Sequence, residues 1–259
     1  MRLRAIAIPA EHGSWGFLLE PIFLGLLVAP SLAGIYLSLA VVAVLFTRQP
    51  MRIAWVDRRR GKRYDRTAMA ERFTLLYGAI ALLGVGASIQ AAGLIPLLPL
   101  LLASPLLLVF LIHDVQRQSR AWPAELAGPV ALAAVATSVA VAGGWDLAPA
   151  LVLWVVLAAR AIPAVLYVRA RLRLGRGAEA NVALALAAHV GGLALVVGLV
   201  WVGLLPALAV VPFVVLLARA VWLLSPSAPS ISTRALGFSE LGLGALTVVM
   251  VAAGYAFGL

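Results

Sequence analysis

The chain has 259 residues, 64% of them hydrophobic and 12% charged, with a mean hydropathy of +1.07. Soluble domains average about half apolar and about a quarter charged residues, so a soluble enzyme, a nucleic-acid-binding domain and a disordered chain are all excluded. The 20 Lys and Arg against 10 Asp and Glu therefore report orientation in a lipid bilayer rather than a nucleic-acid partner. The lack of cysteine excludes disulfides, thiolate metal sites and cysteine nucleophiles.

Crossing about 30 Å of hydrocarbon takes about 20 apolar residues per helix, and short Pro/Gly breaks divide the chain into nine such stretches. The expected fold is all-α, a polytopic bundle forming a single transmembrane domain over 1–259. Before the first span, Arg2 and Arg4 precede an apolar stretch that Pro9-Ala10-Glu11-His12 cuts too short for a signal peptide. It reads as a lead-in.

Span one, 14–29, carries Glu20 inside GSWGFLLEPIF, with Pro21 next to it. Span two, 31–47, is short enough to extend into its flank. The segment VDRRRGKRYDRT follows, in which Asp57 and Asp65 bracket Arg58, Arg59, Arg60, Lys62 and Arg63. Spans three to five run 71–91, 94–113 and 124–142. Span six, 147–168, places Arg160 about 13 Å of helical rise from its near end, beyond easy snorkelling, with Pro163 one turn on as a kink. In YVRARLRLGRG, Arg169, Arg173 and Arg176 follow at i, i+4 and i+7, one face of a continuing helix. Span seven, 179–202, carries His189 beside Gly191-Gly192, where a second backbone can come close. Spans eight and nine run 205–224 and 238–258.

Eighteen of the 20 basic residues precede span one, lie in the loops after spans two, four, six and eight or, at Arg72, stand just beyond the first of these loops, and Arg160 and Arg219 lie deep within spans. The alternate loops hold only Asp146. This asymmetry predicts a cell-membrane protein with its N-terminus cytoplasmic and its C-terminus outside. The basic loops after spans two and six stand four helices apart, which suits either two related four-helix halves with a ninth helix or the positive-inside rule acting twice.

Charge inside a bilayer costs several kcal/mol. Glu20, Arg160 and His189 thus point to a polar cavity open to the cytoplasm, against the plainer reading of a helix-locking Glu20–Arg160 pair. Glu71, Glu125, Glu179 and Glu240 read as first-turn residues facing the positive end of the helix dipole. Together they would ring one mouth, where Mg²⁺ could bridge carboxylates and a phosphate. The basic loops suit a diphosphate or anionic headgroup, or orientation and attraction to anionic lipid alone. A haem would need two facing imidazoles; His12, His113 and His189 are not paired by anything in the sequence, which argues against haem. No Walker-type loop, dinucleotide fingerprint or metalloprotease motif occurs.

PAEHGSWGFLLEP, the RQP ending span two, the DRRRGKRYDRT loop and YVRARLRLGRG resemble, in that order over nearly the whole chain, the YwiC-like integral membrane proteins. The EHGSWGFLLEP segment is the most specific of these, and the resemblance identifies kin without supplying a reaction. Architecturally, nine helices with polar cytoplasmic loops after helices two and six are similar to the UbiA-type intramembrane prenyltransferases. That resemblance implies a polyprenyl diphosphate or similar anionic amphiphile held through Mg²⁺ by two Asp-rich motifs. The first would map onto Asp57 and Asp65. At the second, Arg169, Arg171, Arg173 and Arg176 stand instead, with Glu179 and Asn181 nearby. Under this reading Arg169, Arg173 and Arg176 hold the diphosphate, while Glu20 or Asp57 positions the acceptor or steadies an allylic cation. The alternatives are a permease for a small anionic solute using Glu20, Arg160 and His189, and an accessory protein with no substrate; His12 is a further substrate-binding candidate.

Overall fold

The computed structural model describes residues 4–7, 14–116 and 121–259. His12 lies outside the described residues, as do Arg2, Arg117 and Arg120. The rest forms α1 (Arg4–Ala7), α2 (Ser14–Val28), α3 (Leu32–Arg59), α4 (Asp65–Ala92), α5 (Leu98–Val115), α6 (Trp122–Ala142), α7 (Leu147–Leu174), α8 (Val182–Trp201), α9 (Val210–Leu223) and α10 (Thr233–Phe257), with two short 3₁₀ turns and no strand among the described residues. Each of the nine expected spans corresponds to one of α2–α10. Seven of these helices are long and apolar enough to cross a membrane; α2 and α9 are shorter, at 15 and 14 residues. The protein is a multi-pass helical membrane protein.

Side-chain contacts sort the connections into two ends. At one, Arg48 of α3 meets Asp114 of α5, Arg169 of α7 meets Glu125 of α6, and Arg171 reaches the Pro229 carbonyl in the α9–α10 loop. At the other, Trp145 packs edge-on against Tyr255, whose hydroxyl donates to the Leu204 carbonyl. The loops after α3, α5, α7 and α9 thus share one end, the basic one. The loops after α2, α6 and α8 share the other.

Several helices overrun the spans expected from hydropathy. α3 continues through Pro50 to Arg59 and α7 through Pro163 to Leu174, each 28 residues, or about 42 Å at 1.5 Å per residue. Their charged ends project past the hydrocarbon, which window hydropathy cannot see. Arg169 and Arg173 therefore share the expected helix, while Arg176 sits in the turn just beyond it. α7 passes through Pro163 without ending there. Proline removes an N–H and with it the bond to the carbonyl four residues back. The freed Ala159 carbonyl faces α8, where a Cβ on Gly192 would come within 2.8 Å of it.

The acidic positions need correction. Of the four expected in first turns, only Glu125 is there. Glu71 lies six residues into α4 and Glu240 seven into α10, while Glu179 precedes α8. They do not form a ring of helix caps.

α6 is the central element, with every residue from Ala133 to Ala142 buried. Its alanines let neighbours approach closely, the usual solution where lipid offers no hydrophobic drive between helices. A Cβ on Gly25 of α2 would lie 2.6 Å from Val139 Cβ, and one on Gly84 of α4 2.7 Å from the Tyr36 carbonyl of α3. Polar cross-links reinforce the α6–α7 seam: Thr137 donates to the Ala150 carbonyl and Trp154 to the Val130 carbonyl, both at 2.8 Å. Outward faces are apolar, as at Leu75, Leu82, Leu83 and Leu101, which is what lipid as solvent demands.

Candidate functional site

Five helices bring ionisable side chains to one buried locus. α2 contributes Glu20, α7 Arg160 and Tyr167, α8 His189, α9 Arg219 and α10 Glu240. Arg160 is 1% exposed and Glu20 7%. Nη1 of Arg160 meets Glu20 Oε2 at 2.9 Å, and its Nη2 donates to the Glu240 backbone carbonyl at 2.7 Å. The Glu240 carboxylate is shared: Oε1 accepts from Arg219 Nη1, while Oε2 lies 3.9 Å from Arg160 Nη2. Arg219 stacks its guanidinium 3.9 Å from the centre of the Tyr167 ring, and Arg160 lies 5.7 Å from that of Phe17. Tyr167 in turn meets His189 edge-on at 6.2 Å.

Local sequence explains the arrangement. Arg160 stands at the centre of α7, about 20 Å from either end, too deep to snorkel. Gly244 opens the space for its partner, since a Cβ there would collide with the Glu20 carboxyl and lie 3.0 Å from Arg160 Nη2. Two arginines and two glutamates balance in charge. Their hydrogen bonds do not close, however. Among the described residues, eight buried side-chain polar atoms lack a partner, and seven are in this cluster: Glu20 Oε1, Arg160 Nε, Tyr167 Oη, His189 Nε2, Arg219 Nε and Nη2, and Glu240 Oε2. His189 donates or accepts only through Nδ1, at 2.8 Å from the Ala185 carbonyl. Buried polar groups are normally paired, so such a concentration of open donors and acceptors sets this locus apart from the rest of the described residues.

The expected meeting of Glu20 and Arg160 is present, with His189 one ring away. Arg169, Arg173 and Arg176 do not join them. Arg169 donates to Glu125 at 2.7 Å, Arg173 donates through Nε to the Glu179 carbonyl at 2.6 Å, and Arg176 is exposed. Asp57 is 1% exposed, yet both oxygens are engaged by Arg66, at 2.9 and 2.6 Å, and Thr67 adds a third bond at 2.8 Å. Asp65 is exposed in the first turn of α4. Among the described residues no three of His, Asp and Glu converge as a metal site. The donors at Asp57 are already bound to a guanidinium, so this set does not fit a Mg²⁺–diphosphate bridge. His113 bonds its own helix at the Val109 carbonyl.

Sequence reasoning missed Arg219, Glu240 and Tyr167 as members of the cluster. Arg219 carried the same signal as Arg160, a cation within a span. Glu240 was masked by a helix start placed five residues too late. Tyr167 had no distinguishing signal, since an aromatic near a span end is ordinary.

Two clefts, of about 300 and 320 Å³, lie elsewhere, at the α3–α4 hairpin of the basic end. The first is lined by Gln49, Arg52, Ile53, Val56, Asp57 and Arg66, the second by Arg58, Gly61, Lys62, Arg63 and Glu71.

A family model described as YwiC-like protein matches residues 8–141, just over half of the chain. The match covers α2 to nearly the end of α6, and so Glu20 and Asp57 but not Arg160. No curated protein and no solved structure matches.

Proposed function

The chain belongs to the YwiC-like family, and from that premise we propose that it is a cell-membrane permease which binds a small anionic solute at the buried Glu20–Arg160–Glu240–Arg219 cluster. The observation carrying this reading is the set of open donors in one locus: Arg219 Nε and Nη2, Arg160 Nε, Tyr167 Oη and His189 Nε2. Guanidinium forks suit carboxylate and oxyanion geometry. Their depth supports transport, because ionisable residues inside a span mark solute and proton pathways by default. The N-terminus is cytoplasmic and the C-terminus outside, supported by 18 of the 20 basic residues falling in segments that share one end.

Electroneutrality shapes the mechanism. The four charges sum to zero, so an entering anion leaves the site one charge short unless a carboxylate takes a proton. Glu20 is the group to do so, because one of its carboxylate oxygens is buried without a partner among the described residues and the other meets a single guanidinium. Once neutral, it loosens its hold on Arg160, and the anion is taken by the open guanidinium donors of Arg160 and Arg219. Solute and proton thus enter together.

Prenyl transfer from a polyprenyl diphosphate draws less support. It asks Asp57, Asp65, Arg169, Arg173 and Arg176 to act on one headgroup, and Asp57, Arg169 and Arg173 each have a protein partner. Proteoliposomes decide between these. Uptake of acetate, lactate, succinate, phosphate or sulfate driven by an imposed pH gradient, and lost in Arg219→Gln, is the expected result. Farnesyl diphosphate binding lost in Arg173→Ala would favour the prenyltransferase reading. No uptake, with Arg219→Gln affecting folding yield alone, would leave an accessory protein.

A further inference from the structure

The first cleft at the α3–α4 hairpin differs in chemistry from the second. Its walls combine apolar Ile53 and Val56 with the Gln49 amide and the guanidiniums of Arg52 and Arg66. Arg66 is committed to Asp57, and these two charges cancel. Arg52 is exposed and makes no ion pair within 4 Å among the described residues, leaving the cleft one net positive charge. Arg58 and Arg63 of the second cleft both bind Glu71, and that cleft's lining residues include no apolar side chain.

The depth of the first cleft is set by α3. Counting from Leu32, about 20 residues span the hydrocarbon, which puts Arg52 at the boundary with the headgroups. Trp55, 58% exposed, comes next, and Arg59 lies 4.7 Å over its ring. Arg52, Val56 and Arg59 fall at i, i+4 and i+7 on one helical face. An amphipathic aromatic and unpaired cations at the interface form a surface that faces lipid.

We propose that this cleft binds the phosphodiester headgroup of an anionic phospholipid, with Arg52 and Gln49 on the phosphate and Ile53 and Val56 against the glycerol and upper acyl chain. The monoanionic charge of a phosphodiester matches the single uncompensated cation. The site stands apart from the buried cluster and does not depend on what that cluster carries.

Phosphatidylglycerol retained by the detergent-purified protein, counted by native mass spectrometry against phosphatidylcholine, tests it. Arg52→Gln lowers phosphatidylglycerol affinity about fivefold, and Arg52→Glu removes the preference over phosphatidylcholine. Arg176→Gln changes net charge equally but lies outside the cleft, and it leaves binding unchanged. An equal loss in Arg176→Gln would overturn the assignment, since attraction would then be diffuse. Displacement of the lipid by inorganic phosphate at matched concentration would overturn it too, because the cleft would then hold a free anion.

Discussion

Arg160 on α7 and Glu20 on α2 form a 2.9 Å ion pair with both side chains shut inside the bundle. Removing one partner leaves the other charged and buried, whereas removing both leaves two neutral groups. Arg160→Gln or Glu20→Gln alone therefore costs about 3 kcal/mol or more, and the double variant recovers most of that. Thermal unfolding in detergent, followed by size-exclusion profile, measures it. Additive losses in the double variant would mean that the two side chains are not coupled.

Gly244 makes that pair sterically possible. Gly244→Ala pushes a methyl into the Glu20 carboxyl and toward Arg160, and such overpacking typically costs about 1–3 kcal/mol. Gly242→Ala, two residues away on the same helix, meets nothing within 4 Å and gains slightly from helix propensity. The two alanine variants should therefore move the unfolding temperature in opposite directions.

Orientation can be read directly, because the natural chain has no cysteine to interfere. A single cysteine at Lys62, in the basic α3–α4 turn, should react with a membrane-impermeant maleimide only after cells are opened. One at Asp146, between α6 and α7, should react on intact cells. The reverse pattern would invert the assignment of inside and outside.

Much of this was legible in the sequence because membrane physics leaves few options. Apolar stretches of about 20 residues separated by Pro30, Gly93, Gly143 or Pro206 can only be helices, and arginines collect at one end. Arg160 and Glu20 stood out because each is costly in lipid. What stayed hidden depends on helix register at the ends. Charged overhangs such as 48–59 and 65–70 carry no hydropathy signal, so Asp57 looked like a loop ligand when it is a buried anchor for Arg66 and Thr67. Glu240 looked like a cap for the same reason. Which cation pairs with which acid is a tertiary property: Arg169 with Glu125 spans 44 residues and Arg48 with Asp114 spans 66.

Tyr167 separates a structural role for the cluster from a ligand-binding one. Its ring is fully buried and receives Arg219 at 3.9 Å, but its hydroxyl has no partner among the described residues. Tyr167→Phe keeps the ring and most of the cation–π attraction, which is available to any aromatic face. It removes only an oxygen that bonds nothing among the described residues. If the cluster serves stability alone, the variant should be as stable as the parent or more so, by up to about 1–3 kcal/mol, the cost of an unsatisfied buried hydroxyl, and transport should be unchanged. If the hydroxyl is there to meet a solute, stability behaves the same way while apparent affinity for the transported anion falls about tenfold, the worth of one hydrogen bond to a charged group. Measuring unfolding and concentration-dependent uptake on the same preparation distinguishes the two, and unchanged affinity at unchanged stability would remove Tyr167 from the solute site.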